Sequence, residues 1–84
     1  MSNGNKKPVL NINDGTVSAS IWRNETEDGK VYFNATVKNA YKGNDENWHD
    51  TNSYNNDQLL KLARVANKAY DAALELRAND QSDD

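Results

Sequence analysis

The sequence predicts an α+β fold: a four-stranded antiparallel meander followed by one long C-terminal helix packed on the sheet. Three observations predict it. Apolar residues recur with a period of two up to about residue 54 and with a period of 3.6 after it. The alternating stretches are joined by short polar turns, which connect antiparallel neighbours and are too short for parallel crossovers. The chain has 84 residues, enough for one small domain.

Each element has its own signal. Val9-Leu10-Asn11-Ile12 reads as a short first strand, closed by the turn residues Asn13-Asp14-Gly15. Residues 16–25 alternate, with Val17, Ala19 and Ile21 on one face and Thr16, Ser18, Ser20 and Trp22 on the other. Glu27-Asp28-Gly29-Lys30 is a hairpin turn, because Gly accepts the positive φ such turns require. Residues 31–38 alternate again: Val31, Phe33, Ala35 and Val37 face the core, and Tyr32, Asn34, Thr36 and Lys38 face out. A polar loop over 42–47 leads to a fourth strand over 48–54. The helix begins at a capping box, with Asn55 as cap and Gln58 three residues on. Tyr54 and Leu59 stand at the staple positions, and Asp57 meets the positive end of the helix dipole. No Gly or Pro interrupts residues 56–78.

The domain is therefore expected over 9–77, between a flexible leader (1–8) and a disordered acidic tail (78–84). The tail carries three of the 13 acids, and without it ten acids meet ten bases. The net charge of −3 thus belongs to the tail and not to the body. Asparagine is unusually frequent, at 14 residues, so the two sequons at Asn24 and Asn34 read as chance matches. The N-terminal lysines have no apolar run behind them, and no window approaches the roughly 20 apolar residues of a membrane span. A cytoplasmic protein with no membrane partner, from a bacterium or from a virus acting in its host cell, is the expectation.

On a helical wheel the apolar positions from Leu59 to Leu76 sweep an arc of roughly 240°, whereas a helix on one sheet needs little more than about 100°. A second subunit is expected to cover the surplus. The expected homodimer contacts are Leu62, Val65, Ala66, Ala69, Ala72, Ala73 and Leu76, and the alanines at 63, 66, 69 and 73 would let a partner helix approach closely.

Catalytic signals are poor. The chain has no Cys and one His, which excludes disulfides, thiolate zinc sites and a Cys nucleophile. His49-Asp50 is the single imidazole–carboxylate neighbour pair, and adjacent strand residues point to opposite faces. The acids near Glu25-Asp28 and at Asp45-Glu46 match no calcium loop. No catalytic residue, metal or cofactor is expected. The outward sheet face carries the more specific signal, since it mixes hydroxyls, amides and aromatics with cations at the strand ends. Aromatics stack on bases, and Lys, Arg, Ser, Thr and Asn contact phosphates. Trp22, Tyr32 and Trp48 are the candidate stacking residues, and Arg23, Lys30, Lys38 and Lys42 the candidate phosphate contacts.

The run Ser18-Ala19-Ser20-Ile21-Trp22-Arg23-Asn24-Glu25 resembles a small family of uncharacterised bacterial and viral proteins. So do Tyr41-Lys42, Trp48, Ser53-Tyr54, residues 57–63 and Ala69-Tyr70. The four-strand, one-helix layout is similar to transcriptional coactivators of the positive-cofactor-four type and to Whirly proteins. That resemblance implies a homodimer whose sheet surface binds single-stranded DNA. Single-stranded DNA or RNA is thus the expected partner. A protein-interaction module, for instance an accessory factor of a virus or mobile element that binds a host protein, is the alternative.

Overall fold

The structure, a computed structural model, describes residues 7–81. Residues 1–6 of the expected leader and 82–84 of the expected tail lie outside the described residues. Four strands precede one helix: β1 (Leu10–Asp14), β2 (Val17–Glu25), β3 (Val31–Lys42), β4 (Trp48–Thr51) and α1 (Asn56–Gln81). The strands form one antiparallel sheet in the order β1-β2-β3-β4, the expected meander. Among the described residues no helix is long and apolar enough to cross a membrane.

Turn chemistry sets the register. Gly15 opens the two-residue β1–β2 turn at φ 64°. Between β2 and β3, Thr26 N–H donates to Lys30 O at 2.8 Å, which closes a three-residue loop with Gly29 at φ 88°. The β3–β4 loop repeats that geometry: Gly43 N–H donates to Asn47 O at 2.9 Å, and Glu46 holds the left-handed position at φ 65°.

Several boundaries differ from the sequence reading. β1 runs to Asp14, because Asn13 and Asp14, expected in the turn, pair with Ser18 and Val17, which leaves Gly15 and Thr16 as the turn. β3 runs through Asn39, Ala40, Tyr41 and Lys42, because these residues pair with β4. β4 stops at Thr51 and does not reach residue 54. There the chain turns toward the helix: Ser53 N–H donates to Thr51 Oγ1 (3.2 Å), and Ser53 O accepts from Asn39 Nδ2 (2.9 Å). The helix continues past residue 77, so the start of the expected disordered tail, 78–81, is helical. Asp80, in its last turn, accepts from Arg23 Nε at 3.2 Å.

The core lies where α1 crosses β2. Val17, Ala19 and Ile21, the inward row of β2, are fully buried against Val65 and Ala69. Ile12, Phe33, Tyr54, Leu62, Ala72 and Leu76 pack around them. Val65 and Ala69, expected at an intersubunit surface, are thus core residues of the protomer, and Leu62, Ala72 and Leu76 face the same core. Ala66 is exposed and Ala73 half-buried. The wheel located the apolar arc correctly, but the sheet claims a different part of it than expected.

The helix is pinned along β2 at both ends. At its start, Asn55 and Gln58 form the expected capping box: Gln58 N–H donates to Asn55 Oδ1 and Asn55 N–H to Gln58 Oε1, each at 2.9 Å. Asn39 extends that box. It is 3% exposed, accepts from Thr16 Oγ1 (2.7 Å) and donates to Gln58 Oε1 (2.9 Å). The charged flank of α1 lies toward β1, where Arg64 Nε meets Asp14 Oδ2 at 3.3 Å. The helix lies chiefly on β2, touches both β1 and β3, and leaves part of the inner face of β3 open. Ala35 and Val37, expected to face a covering helix, point to its side of the sheet yet remain exposed.

Candidate nucleic-acid interface

Directly opposed residues in an antiparallel pair share a face. Trp22 opposes Asn34 and Tyr32 opposes Asn24, so all four lie on the outer face. Two-residue steps along β3 add Thr36, Lys38, Ala40 and Lys42, and Lys42 opposes Trp48. Of the seven candidate contacts, Trp22, Tyr32, Lys38, Lys42 and Trp48 therefore share one surface, on the side of the sheet away from α1. The distance along β3 from Asn34, opposite Trp22, to Lys42 is about 27 Å at about 3.4 Å per residue. The aromatics stand at the two ends of a strip and not in one cluster.

The strip is a ladder of side-chain hydrogen bonds. Ser20 Oγ donates to Asn11 Oδ1 (2.7 Å), and Asn24 Nδ2 donates to Asn34 Oδ1 (3.0 Å). Trp22 Nε1 donates to Thr36 Oγ1 (3.1 Å), which draws the indole from β2 across β3. Trp48 is 64% exposed and Tyr32 49%. Lys38 Nζ lies 3.4 Å from Asp50 Oδ2, so its charge is partly offset on that face. Lys30, in the β2–β3 turn, and Lys42 form no ion pair among the described residues.

Arg23 does not join this surface. It opposes Phe33 on the helix side, where it meets Asp80 and, at 3.4 Å, Glu25. The alternation of β2 already carried that signal, since Arg23 follows the outward Trp22 by one residue. His49 also does not partner its neighbour in sequence. Its Nε2 lies 3.1 Å from Oδ1 of Asp45, not beside Asp50, and its ring stacks on Tyr41 with centroids 5.3 Å apart. The hydrogen bond to His49 holds the Asp45 carboxyl below its ordinary pKa, with help from the Asn47 N–H. In the other hairpin the Thr26 hydroxyl does the same for Asp28. Both carboxylates are turn acceptors. Among the described residues no three His, Cys, Asp or Glu side chains gather as a metal site.

The arrangement can offer a polar, hydrogen-bonding strip with an exposed ring at each end to an extended ligand. No family model, curated protein or solved structure matches this chain.

Proposed function

We propose that this chain is a non-enzymatic single-stranded nucleic-acid-binding protein that works through the outer face of its sheet. The observation that carries the reading is the convergence of Trp22, Tyr32, Lys38, Lys42 and Trp48 on one solvent face, opposite the helix. Trp48 and Tyr32 offer open rings for stacking, while Lys42, with Lys30 at the adjoining turn, meets phosphates. The hydroxyl and amide side chains between them contact sugar and phosphate without reading sequence. Single strands suit this surface better than duplex, because stacking needs unpaired bases.

The test is a titration of tryptophan fluorescence with single-stranded and duplex oligonucleotides at low salt. Quenching by the single strand, and much weaker quenching by duplex, is the expected result. Trp48→Ala should weaken the single-strand affinity by roughly 5- to 150-fold, the equivalent of about 1–3 kcal/mol for one lost stack. The absence of both quenching and a mobility shift at micromolar protein refutes the reading. Recovery of one stoichiometric protein that nuclease does not release favours a protein-docking role for the same face.

A further inference from the structure

We infer that the open edge of β3 pairs with the same edge of a second copy of this chain. The two-fold axis stands perpendicular to the sheet, so two four-stranded sheets become one and both helices lie on its inner face. This inference is independent of the outer-face reading.

The first observation is backbone geometry. Ala40 N–H donates to Thr16 O at 3.0 Å, toward β2. Backbone groups alternate sides along a strand, and the β2–β3 register runs unbroken from Val17↔Asn39 to Glu25↔Val31. Val31, Phe33, Ala35 and Val37 therefore aim their N–H and C=O groups away from β2. β4 covers that side of β3 only from Asn39 to Lys42. Residues 31–37 thus present an uncovered strand edge.

The second observation is that this edge lacks the usual protection. Monomeric proteins blunt an open edge with Lys, Pro or a bulge. Residues 31–37 read Val-Tyr-Phe-Asn-Ala-Thr-Val, with no charge and no Pro, and the register has no bulge. Lys30 and Lys38 stand only at the two ends.

The third observation is the apolar surface beside the edge. Val37 is 38% exposed on the inner face. The flank of α1 that overlooks β3 carries Tyr70, Ala73, Leu74 and Arg77, which with Val31, Tyr32 and Phe33 line a groove of about 350 Å³. Tyr70 is 65% and Leu74 46% exposed. Arg64 stands on the opposite flank, where it meets Asp14, and Arg77 is the charged residue of the groove flank. Among the described residues only five hydrophobics are buried, two of them alanines, which is little core for a domain of this size.

A second copy satisfies edge and flank together. With the axis near Asn34, Phe33 stands opposite Ala35 and Val31 opposite Val37, which allows about eight new backbone hydrogen bonds. α1 runs along the sheet from Asn39 of β3, beside Val17, at its start to Arg23 of β2 at its end. The two helices therefore approach antiparallel above Ala35 and Val37, each presenting the flank of Tyr70, Ala73 and Leu74 with Arg77 beside them. An edge about 20 Å long, together with the helix flank above it, is of the order of the roughly 800 Å² that each partner gives a standard interface. A foreign strand added to the edge leaves Tyr70 and Leu74 bare. The two-fold contact closes on itself and uses up both β3 edges, with β1 left at the two outer borders of the merged sheet.

The experiment is sedimentation of the nuclease-treated full chain, with amide hydrogen exchange on the same sample. A species of twice 9.4 kDa is expected, with the Phe33, Ala35 and Val37 amides protected. Ala35→Pro removes an N–H that the protomer itself does not use, so a folded species of 9.4 kDa is expected. Leu74→Glu, at an exposed helical site, should also give the single chain with its circular dichroism intact, and it serves where Ala35→Pro fails to fold. A full chain that sediments as a single copy with those amides exchanging freely overturns the inference. So does a dimer that survives both substitutions, or open-ended polymer.

Discussion

Glu46 and Gly29 occupy the same position in two copies of one turn. Both three-residue loops need a left-handed residue before the return strand. Gly29 fills it without steric penalty, whereas Glu46 carries a Cβ into a conformation that disfavours one. Glu46→Gly is therefore expected to stabilise the fold by about 0.5–1 kcal/mol, and Gly29→Ala to destabilise it by about 1 kcal/mol. Urea titration reads both as shifts of midpoint at constant slope. The same loops hold the two carboxyls with lowered pKa, Asp28 and Asp45. A carboxyl depressed in the native state binds fewer protons there than in the unfolded chain. Its stabilisation is complete above the ordinary value of 3.8 and is lost as pH falls through the lower native value. Asp28→Asn and Asp45→Asn should flatten the acid limb of a stability-against-pH curve below about pH 4 and leave its neutral slope unchanged.

At the level of elements, strand and helix identities were legible because the two hydrophobic periods differ and the turns carry Gly. The ends of elements were less so. Residues 52–53 continue the polar character of β4, and only their hydrogen bonds to Thr51 and Asn39 make them a turn. Asn39 itself had no sequence signal, being one asparagine among 14. Its importance comes from position: it extends the inward row of Val37 and lands beneath the helix cap, so a polar residue is buried with its bonds made. Trp22, Tyr32 and Lys38 followed from alternation alone, whereas Lys42 and Trp48 reach the outer face through the extension of β3 and its pairing with β4. The uncovered edge of β3 could not be read at all, since it depends on where β4 stops. Because Asn39 and the capping box share Gln58 Oε1, their contributions are not independent. Asn39→Ala strands the Thr16 hydroxyl and the Ser53 carbonyl and is expected to lower stability by about 2 kcal/mol. Gln58→Ala should remove about 1 kcal/mol, and the double variant less than the sum by about 0.5 kcal/mol or more. A strictly additive thermodynamic cycle contradicts the shared network.

At the scale of the whole molecule, charge limits what the outer face can do. The chain carries a net charge of −3, and one of its outer-face lysines already faces Asp50. Nucleic-acid binding of the proposed kind must then draw more on stacking than on phosphate neutralisation. For single strands the slope of log affinity against log salt is about −0.7 per phosphate contacted. With Lys30, Lys38 and Lys42 as the only contacts, a slope of roughly −2 is expected, far shallower than that of a basic binder. Pairing of two β3 edges sharpens this expectation. It joins the two outer faces into one surface, with Tyr32, Asn34 and Thr36 of each copy flanking the axis. An oligonucleotide long enough to cross the axis then engages both copies, and its affinity should exceed that of a half-length strand by roughly tenfold or more. Ala35→Pro leaves every outer-face side chain in place. It should therefore keep the affinity for the short strand and the salt slope, and lose the advantage of the long one. If the long strand keeps its advantage on single-copy protein, the gain comes from the number of sites along the strand, and the two faces do not act as one.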